Sequence, residues 1–336
     1  MKGSQLTPLF HHCLQVIETS EGMIPRRLTD KQLAFYEKIP YGSHMLGKAK
    51  CSAGTTVECT TDAPALDICW MIDAGYPDAM QNRKTTLDLY VNGTLIFQHP
   101  VICPHREWQQ THIPLPAGEK RLCLVLPQTY EFILKELSVP EGSNLSPIPR
   151  RKRNLLFLCD SLGQGIGASC ASTGYTMQAM LRLQDFEVLN QCVGGLRYDT
   201  PSVDPNVPTP ELIVVQIGTN DWQRRPDRAD FDKAMTSYLK HLSVCFPAVP
   251  VILLSPMKRC DGTAERPEMY REDELFDMMR AHCSAYPNIT CFNGFSLMPC
   301  TGAFFADGVH PNDAGHLWLA SSVTALINQH LKSDDC

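Results

Sequence analysis

The chain has 336 residues, a length that corresponds to about two domains of about 150 residues each. Hydrophobic residues make up 43% of it and charged residues 20%, a balance typical of a folded protein and not of a disordered one. The formal net charge of -6 gives no general attraction to nucleic acid or to anionic membranes. This charge argues against a nucleic-acid-binding protein. No apolar run approaches the roughly 20 residues that span a bilayer, so we do not predict a membrane protein either.

The sequence contains 15 cysteines, an odd number, and no C-x-x-C pair. This pattern indicates neither a disulfide framework nor a zinc ribbon, so we expect mostly buried free thiols. The N-terminal stretch has no uninterrupted apolar segment and no small-residue cleavage site of the kind found in secretory signals. We therefore predict a cytoplasmic protein.

The first half of the chain has the pattern of antiparallel strands. The initial forty residues are less regular and contain one candidate short helix, near Leu9 to Glu18. From Gly54 to Val139, apolar and polar residues alternate in short runs, which predicts half-buried strands of a β-sandwich or jelly roll. The dipeptide Asn92-Gly93 separates two runs and favours a type I′ hairpin. The alternating positions are Val57 and Cys59, then Leu66, Ile68, Trp70 and Ile72, then Leu87, Leu89 and Val91, and finally Leu122, Leu124 and Leu126.

A segment rich in Gly, Ser and Pro, Glu141 to Arg153, joins the two halves. It ends in four consecutive basic residues, Arg150 to Arg153. We expect these to form a solvated linker end and assign them no function, although a localisation signal or a phosphate contact is the alternative. The predicted domains are residues 1–148 and residues 149–336.

After the linker, short continuous apolar runs alternate with longer amphipathic segments. This pattern predicts an α/β domain with a five-stranded parallel sheet that helices cover on both faces. The predicted strands contain Leu155 to Leu158, Glu187 to Leu189, Leu212 to Ile217, Val251 to Leu254 and Ile289 to Phe292. The predicted buried helix faces consist of Phe231, Met235, Tyr238, Leu239 and Leu242, and of Leu317, Ala320, Val323, Ile327 and Leu331.

Ligands of open parallel sheets bind outside the carboxyl ends of the strands, and four of the five predicted strand ends carry unusual polar or glycine-rich segments. These segments are Cys159 to Gly163, Asn190 to Gly195, Gly218 to Asp221 and Asp307 to Pro311. Ser161 lies where a strand ends and a helix begins, a place that suits a nucleophile because the helix N-terminus favours a developing anion. His310 is the natural base for its hydroxyl proton, and Asp307 is placed to orient the imidazole.

Attack on an acyl carbonyl places negative charge on its oxygen, so hydrogen-bond donors must already point there. We expect the backbone N–H groups of Ser161 and Gly195 and the side-chain amide of Asn220 to supply an oxyanion hole. Each segment alone has a simpler explanation: Ser161 as a helix N-cap and the other blocks as turns. Their joint order at successive strand ends favours catalysis.

The four blocks resemble those of the SGNH (GDSL) hydrolases, which are serine esterases with a flavodoxin-like fold. The resemblance covers roughly Asn154 to Leu331. It implies Ser161 as nucleophile, Gly195 and Asn220 as oxyanion-hole residues, and Asp307 and His310 as the rest of a triad. A shorter match, Thr86 to Tyr90, resembles the G-x-D-L-Y motif of the N-terminal β-sandwich in one subgroup. Several related families deacylate carbohydrates.

Two cysteines stand where glycine is usual in this family, Cys159 before the nucleophile block and Cys192 in the second block. The backbone at Cys159 must therefore accommodate a Cβ atom, and a nucleophilic Cys159 is a minor alternative because a thiol at the end of a buried strand is usually inert. Trp222 either lines the substrate pocket or packs beneath its loop. We expect His316 to have a structural role.

Neither a cofactor nor a metal is implied. The sequence has no G-x-G-x-x-G after a strand and no P-loop, and His11-His12-Cys13 and the pair His99 and His105 lack metal-site spacing. The expected function is hydrolysis of a small-molecule or carbohydrate ester, with acetyl as the expected acyl group. A lipid esterase or thioesterase and an inactive carbohydrate-binding module are the alternatives. The N-terminal domain either shapes the pocket or only stabilises the fold, and the oligomeric state stays open.

Overall fold

The fold was established from a computed structural model, which describes residues 1–39, 44–75, 85–102, 106–261, 266 and 268–333. An antiparallel β-rich half precedes a parallel α/β half. The first half contains a 3-10 helix, Gly3–Leu9, and the helices α1 (Asp30–Lys38) and α2 (Met45–Lys50). Its strands are β1 (Phe10–His11), β2 (Gln15–Glu18), β3 (Met23–Arg26), β4 (Thr56–Thr61), β5 (Ala65–Gly75), β6 (Thr86–Val91), β7 (Thr94–Pro100), β8 (Gln109–Pro114), β9 (Lys120–Val125), β10 (Tyr130–Ser138) and β11 (Leu145–Pro147).

Two antiparallel sheets form the predicted sandwich. One has the order β1-β4-β9-β6-β7 with β11 paired to β4, and the other has the order β2-β3-β10-β5-β8. The alternating apolar positions of β4, β5, β6 and β9 meet in one core, where Trp70 stacks on Phe132 with ring centroids 5.5 Å apart. Asn92 and Gly93 join β6 to β7 with φ values of 50° and 81°, as the type I′ prediction requires.

The predicted helix near Leu9 to Glu18 is wrong. The 3-10 helix ends at Leu9, and the residues that follow form β1 and β2. Phe10 pairs with Val57 across the sheet, and Val16 and Ile17 lie in a hairpin with β3. These long-range and hairpin pairings satisfy the backbone better than an isolated short helix, which is marginal in water.

Of the four basic residues that end the linker, Arg150, Lys152 and Arg153 are exposed as predicted, whereas Arg151 is not. Arg151 has a side chain only 13% exposed, and its guanidinium binds both carboxylate oxygens of Glu58 on β4 at 3.0 and 2.8 Å. Its Nη1 also lies 3.5 Å from Glu187 in the α/β half. Arg150 donates to the carbonyl of Cys13 and pairs with Glu187. Paired charges therefore join the two halves of the chain.

The second half is the predicted α/β domain. Five parallel strands, β12 (Arg153–Cys159), β13 (Phe186–Asn190), β14 (Leu212–Gln216), β15 (Val251–Leu254) and β16 (Ile289–Phe292), have the order β13-β12-β14-β15-β16. The helices are α3 (Ser161–Gln164), α4 (Tyr175–Arg182), α5 (Thr219–Arg224), α6 (Arg228–Cys245), α7 (Glu272–Cys283) and α8 (Asp313–Ser333). The order is that of a flavodoxin-like sheet.

The predicted face of α6 is fully buried, whereas that of α8 differs at one end. Leu317 is 49% exposed, and the buried stripe of α8 begins instead with Leu319 and Ala320. Among the residues that the structure describes, no helix has the length and apolar character needed to cross a membrane.

Helices α1 and α2 lie before most of the sandwich in sequence, yet they cover one face of the parallel sheet. Tyr36 of α1 and Met45 and Ala49 of α2 share a buried cluster with Leu156 of β12 and Leu189 of β13. The N-terminal residues therefore contribute directly to the core beneath the sheet. The domain division at residue 148 stays a prediction.

Candidate active site

The strands β13, β12 and β14 are neighbours, so the segments that follow them meet at one edge of the sheet. Ser161 is the first residue of α3, directly after β12. Asp160 caps this short helix, because its Oδ1 accepts the backbone N–H of Leu162 at 3.1 Å. The nucleophile candidate therefore lies in a strand-to-helix turn, as predicted.

Ser161, His310 and Asp307 form a continuous hydrogen-bonded row. His310 Nε2 lies 3.0 Å from Ser161 Oγ, and His310 Nδ1 lies 2.8 Å from Asp307 Oδ2. Asp307 Oδ1 also accepts the backbone N–H groups of Val309 at 3.1 Å and of His310 at 2.7 Å. Burial alone would raise the pKa of Asp307, but the hydrogen bonds from His310 and Val309 hold it well below its usual range. Asp307 is therefore a carboxylate at neutral pH.

Two backbone donors lie at the same edge of the sheet. Gly195 has a φ of 92°, a left-handed conformation that glycine adopts without strain. Within the part of the chain that the structure describes, neither the N–H of Gly195 nor that of Ser161 donates to a protein acceptor. Both groups are thus available to an oxygen atom of a ligand.

Asn220 is the second residue of α5 and lies beside the same turn. Its Nδ2 donates to the carbonyl of Leu196 at 3.1 Å and makes a longer contact of 3.4 Å with Asp160 Oδ2. Asp160 is fully buried, and this burial raises its pKa to about 7 despite the N–H bond from Leu162. The carboxylate of the neighbouring Asp221 accepts the backbone N–H of Tyr198, and this hydrogen bond anchors the loop that follows Gly195.

The two unusual cysteines are accommodated by a glycine. Cys159 and Cys192 are fully buried, and their side chains lie against Gly163. A Cβ on Gly163 would lie 2.4 Å from Cys159 Cβ and 2.5 Å from Cys192 Sγ, so the missing side chain makes room for both thiols. The Tyr175 hydroxyl donates to Cys159 Sγ at 3.3 Å. Cys159 is therefore packed inside the domain and closed to a substrate.

Trp222 and His316 both make structural contacts. The indole N–H of Trp222 donates to the carbonyl of Tyr270 at 2.8 Å, and its ring packs edge-on against Phe295. His316 is fully buried, and its ring nitrogens bind the N–H of Tyr175 and the carbonyl of Ile166. Burial lowers the pKa of His316 to about 4, so its imidazole is neutral at physiological pH.

The Thr86 to Tyr90 motif holds the two halves together. Thr86 Oγ1 accepts the N–H of Ala171 at 3.0 Å, and Asp88 Oδ2 accepts the N–H of Ser172 at 2.9 Å. Both donors lie in a 3-10 helix, Ala171–Thr173. Thr173 in turn donates to Asp313 at 2.7 Å, at the start of α8 and three residues after His310. The motif thus supports the loop that carries the histidine.

Helix α2 also lies at the site, which sequence reasoning missed. Lys48 Nζ donates to the carbonyl of Gly194 at 3.1 Å. Arg27, 2% exposed, bridges the last carbonyls of α2 to the carbonyls of Asn190 and Cys192. No spacing pattern links these cations to the glycine block, because their contacts span more than 100 residues of chain.

The histidines outside the triad have other surroundings. His11 and His12 lie in the buried charge cluster with Glu58 and Glu187. His99 packs against aromatic rings, and its proposed pair, His105, lies outside the described residues. Within the described ranges, no group of three or more metal-ligating side chains occurs.

The chain resembles one protein family and several solved structures. Residues 157–318 match the family model of the GDSL-like lipase/acylhydrolases. Among solved structures, the salicylyl-acyltransferase SsfX3 from a tetracycline biosynthetic pathway aligns with a TM-score of 0.77 at 17% identity, covering 94% of this chain and 92% of that one. A Bacteroides ovatus protein described as GDSL-like lipase aligns with 0.74 at 17% identity, covering 98% and 97%.

A family two carbohydrate esterase from Clostridium thermocellum, solved with cellohexaose, aligns with a TM-score of 0.64 at 15% identity, covering 84% of this chain and 94% of that one. No curated protein sequence matches the chain. Fold and family together define the class of the protein as a carboxylic ester hydrolase. The match to the GDSL-like lipase/acylhydrolase family lies entirely within its α/β half.

Proposed function

We propose that the protein hydrolyses small acyl esters, acetyl esters in particular, on carbohydrates, with Ser161, His310 and Asp307 as a catalytic triad. The observation that carries this proposal is the hydrogen-bonded row in which His310 Nε2 lies 3.0 Å from Ser161 Oγ and Nδ1 lies 2.8 Å from Asp307. These distances are those of a nucleophile, its base and an orienting carboxylate.

In the first step, Ser161 Oγ attacks the carbonyl carbon of the ester while His310 Nε2 accepts the hydroxyl proton. The tetrahedral intermediate collapses when the bond to the leaving alcohol breaks, and His310 returns the proton to the alcohol oxygen. Water then attacks the acyl-enzyme with His310 again as base, which releases the carboxylic acid and regenerates Ser161. Asp307 stays ionised throughout and stabilises the imidazolium, because its pKa is far below neutrality.

The oxyanion would accept hydrogen bonds from the N–H groups of Ser161 and Gly195 and from Asn220. Both N–H groups are free of protein acceptors in the described part of the chain. Asn220 keeps one amide hydrogen on the carbonyl of Leu196 at 3.1 Å, whereas its 3.4 Å contact with Asp160 is long and is exchanged at low cost for a substrate oxygen. Each such donor contributes on the order of 3 kcal/mol to stabilisation of the transition state.

The substrate class is inferred from similarity of fold. The family two carbohydrate esterase from Clostridium thermocellum binds cellohexaose in its solved structure and shares the fold over most of both chains. We therefore propose an acylated carbohydrate as substrate. We propose that Trp222 supports the pocket, because its indole N–H already donates to the carbonyl of Tyr270. The cytoplasmic location stays a prediction from the sequence.

The test compares wild type, Ser161→Ala and the control Ser321→Ala, whose hydroxyl lies on the exposed face of α8. Rates are measured on p-nitrophenyl acetate, butyrate and octanoate and on a panel of acetylated sugars. We expect Ser321→Ala to match wild type, Ser161→Ala to lose activity, and acetyl esters to be hydrolysed fastest. Full activity in Ser161→Ala would refute the mechanism, and a preference for octanoate would favour a lipid esterase or thioesterase.

A further inference from the structure

Helix α2 holds the Gly194–Gly195 peptide through a closed ring of hydrogen bonds. Lys48 Nζ donates to the carbonyl of Gly194 at 3.1 Å, and the N–H of Gly194 donates to Gln164 Oε1 at 2.7 Å. Gln164 Nε2 returns to the carbonyl of Lys48 at 3.0 Å. Gln164 belongs to α3, the helix that begins with Ser161. The ring therefore ties the nucleophile's helix, the glycine block and an N-terminal helix to one another.

The contact from Lys48 fixes the direction of one N–H group. A trans peptide unit is planar, and its C=O and N–H bonds point in opposite directions. The carbonyl of Gly194 and the N–H of Gly195 belong to the same unit. When Lys48 holds the carbonyl from the side of α2, the Gly195 N–H points away from α2, and no protein acceptor takes it within the described ranges.

This restraint matters because glycine leaves the unit free to rotate. Gly194 and Gly195 are consecutive and both lack a Cβ, so the peptide plane between them has few steric barriers. The space beside Gly195 is not crowded, since a Cβ there would meet Met45 Sδ and Lys48 Nζ only at ordinary contact distances of 3.6 and 3.7 Å. The orientation of the Gly194–Gly195 peptide plane must therefore be held by hydrogen bonds.

The charge of Lys48 also acts on the strength of the donor. A cation bonded to a carbonyl oxygen polarises the amide and makes its N–H a better donor, since hydrogen bonds in a chain strengthen one another. The ammonium also lies 3.7 Å from the position that a Gly195 Cβ would occupy, so the cation is close to the glycine whose N–H group we place in the oxyanion hole.

We propose that Lys48, a residue of the N-terminal part of the chain, is a positioning residue of ester hydrolysis that orients and polarises the Gly194–Gly195 peptide for the oxyanion hole. The inference rests on the proposed function. It assigns a catalytic purpose to α2 beyond its packing against the sheet, and it explains why a helix from before the sandwich lies beside the glycine block.

The experiment measures kcat and KM on p-nitrophenyl acetate for full-length wild type, Lys48→Met, Lys48→Arg and Lys50→Met. Lys50→Met is the matched control, because it removes a cation from the same helix at a position outside the ring. We expect Lys48→Met to lower kcat by at least about 10-fold with KM within about 2-fold, because the interaction is realised in the transition state. Lys48→Arg should recover most of the loss, and Lys50→Met should match wild type.

A second readout separates positioning from packing. Diethyl p-nitrophenyl phosphate places a phosphoryl oxygen in the oxyanion hole when it reacts with the serine, so its inactivation rate should fall in Lys48→Met by a factor similar to that of kcat. Thermal unfolding identifies any variant that fails to fold. Equal kcat in Lys48→Met and Lys50→Met, or no recovery in a folded Lys48→Arg, would overturn the inference. A wild type without esterase activity, or an active Ser161→Ala, would overturn the proposed function and this inference with it.

Discussion

Glu58 is the centre of the charged contacts between the sandwich and the α/β half, and its neutralisation is expected to destabilise the whole chain. The side chain is 1% exposed. It accepts two hydrogen bonds from Arg151, at 3.0 and 2.8 Å, and one from Arg121 at 2.7 Å. Glu58→Gln keeps the shape but leaves the Arg151 guanidinium, which is only 13% exposed, without its bidentate partner.

Removing one partner of a buried ion pair costs about 3–5 kcal/mol. Glu187 remains 3.5 Å from Arg151 and offsets part of the loss, so we expect the lower end, about 3 kcal/mol. In a chain of this size that corresponds to a fall of about 4 °C in Tm. The matched control is Glu211→Gln, which breaks a pair with Arg153 whose side chains are 42% and 44% exposed and should cost less than about 1 kcal/mol.

The effect also has a defined dependence on pH. Burial opposes ionisation of Glu58, but His12 and Arg151 outweigh it and hold the pKa well below its usual range. The same kind of contacts, from His11 and His12, lower the pKa of Glu187 to about 2. Stability from such carboxylates is fully present above the unfolded pKa of about 4.5 and is lost as the pH falls through the folded pKa.

The assay is urea unfolding of wild type, Glu58→Gln and Glu211→Gln between pH 3 and pH 7. The difference in unfolding free energy between wild type and Glu58→Gln should be largest at pH 7 and should shrink below about pH 4.5. If Glu58→Gln were no less stable than Glu211→Gln at pH 7, the reasoning about this charge cluster would be refuted.

Three further substitutions test separate parts of the structure. Asn220→Ala should lower kcat about 100-fold on p-nitrophenyl acetate, whereas a loss below about 5-fold would remove it from the oxyanion hole. Gly163→Ala crowds the two buried cysteines and should destabilise the chain by about 1–3 kcal/mol in urea unfolding, unlike Gly302→Ala, where a Cβ meets open space. Asp88→Ala leaves a buried N–H of the α/β half unpaired and should cost about 1–3 kcal/mol, with KM unchanged; unaltered stability would contradict the role given to the motif.

The sequence was sufficient for the features that depend on local pattern. Continuous apolar runs predicted the five parallel strands, and the Asn92-Gly93 pair predicted the hairpin, because period and turn chemistry are encoded in neighbouring residues. The blocks of the candidate site were found for a related reason. Three of them directly follow a strand whose end is visible in the sequence, and parallel strands place their ends at one edge. The Asp307 block lies further along, between two 3-10 helices and α8.

What the sequence did not reveal depends on contacts between distant segments. Arg151 was predicted to be solvated because a basic run usually is, yet Glu58 and Glu187 enclose it from two different sheets. Lys48 lies in a short helix with no distinctive pattern, and its partner Gly194 is 146 residues away. Whether Cys159 fits could not be judged from its own position, since the space for it comes from Gly163.

Covalent labelling tests most directly whether Ser161 is a nucleophile that His310 activates. Folded wild type, Ser161→Ala and His310→Ala are treated with a fluorophosphonate probe, and the modified peptide is identified by mass spectrometry. We expect one label, on Ser161, that is absent from Ser161→Ala and forms much more slowly in His310→Ala. A label on Cys159, or no label on Ser161 in the folded wild type, would contradict it.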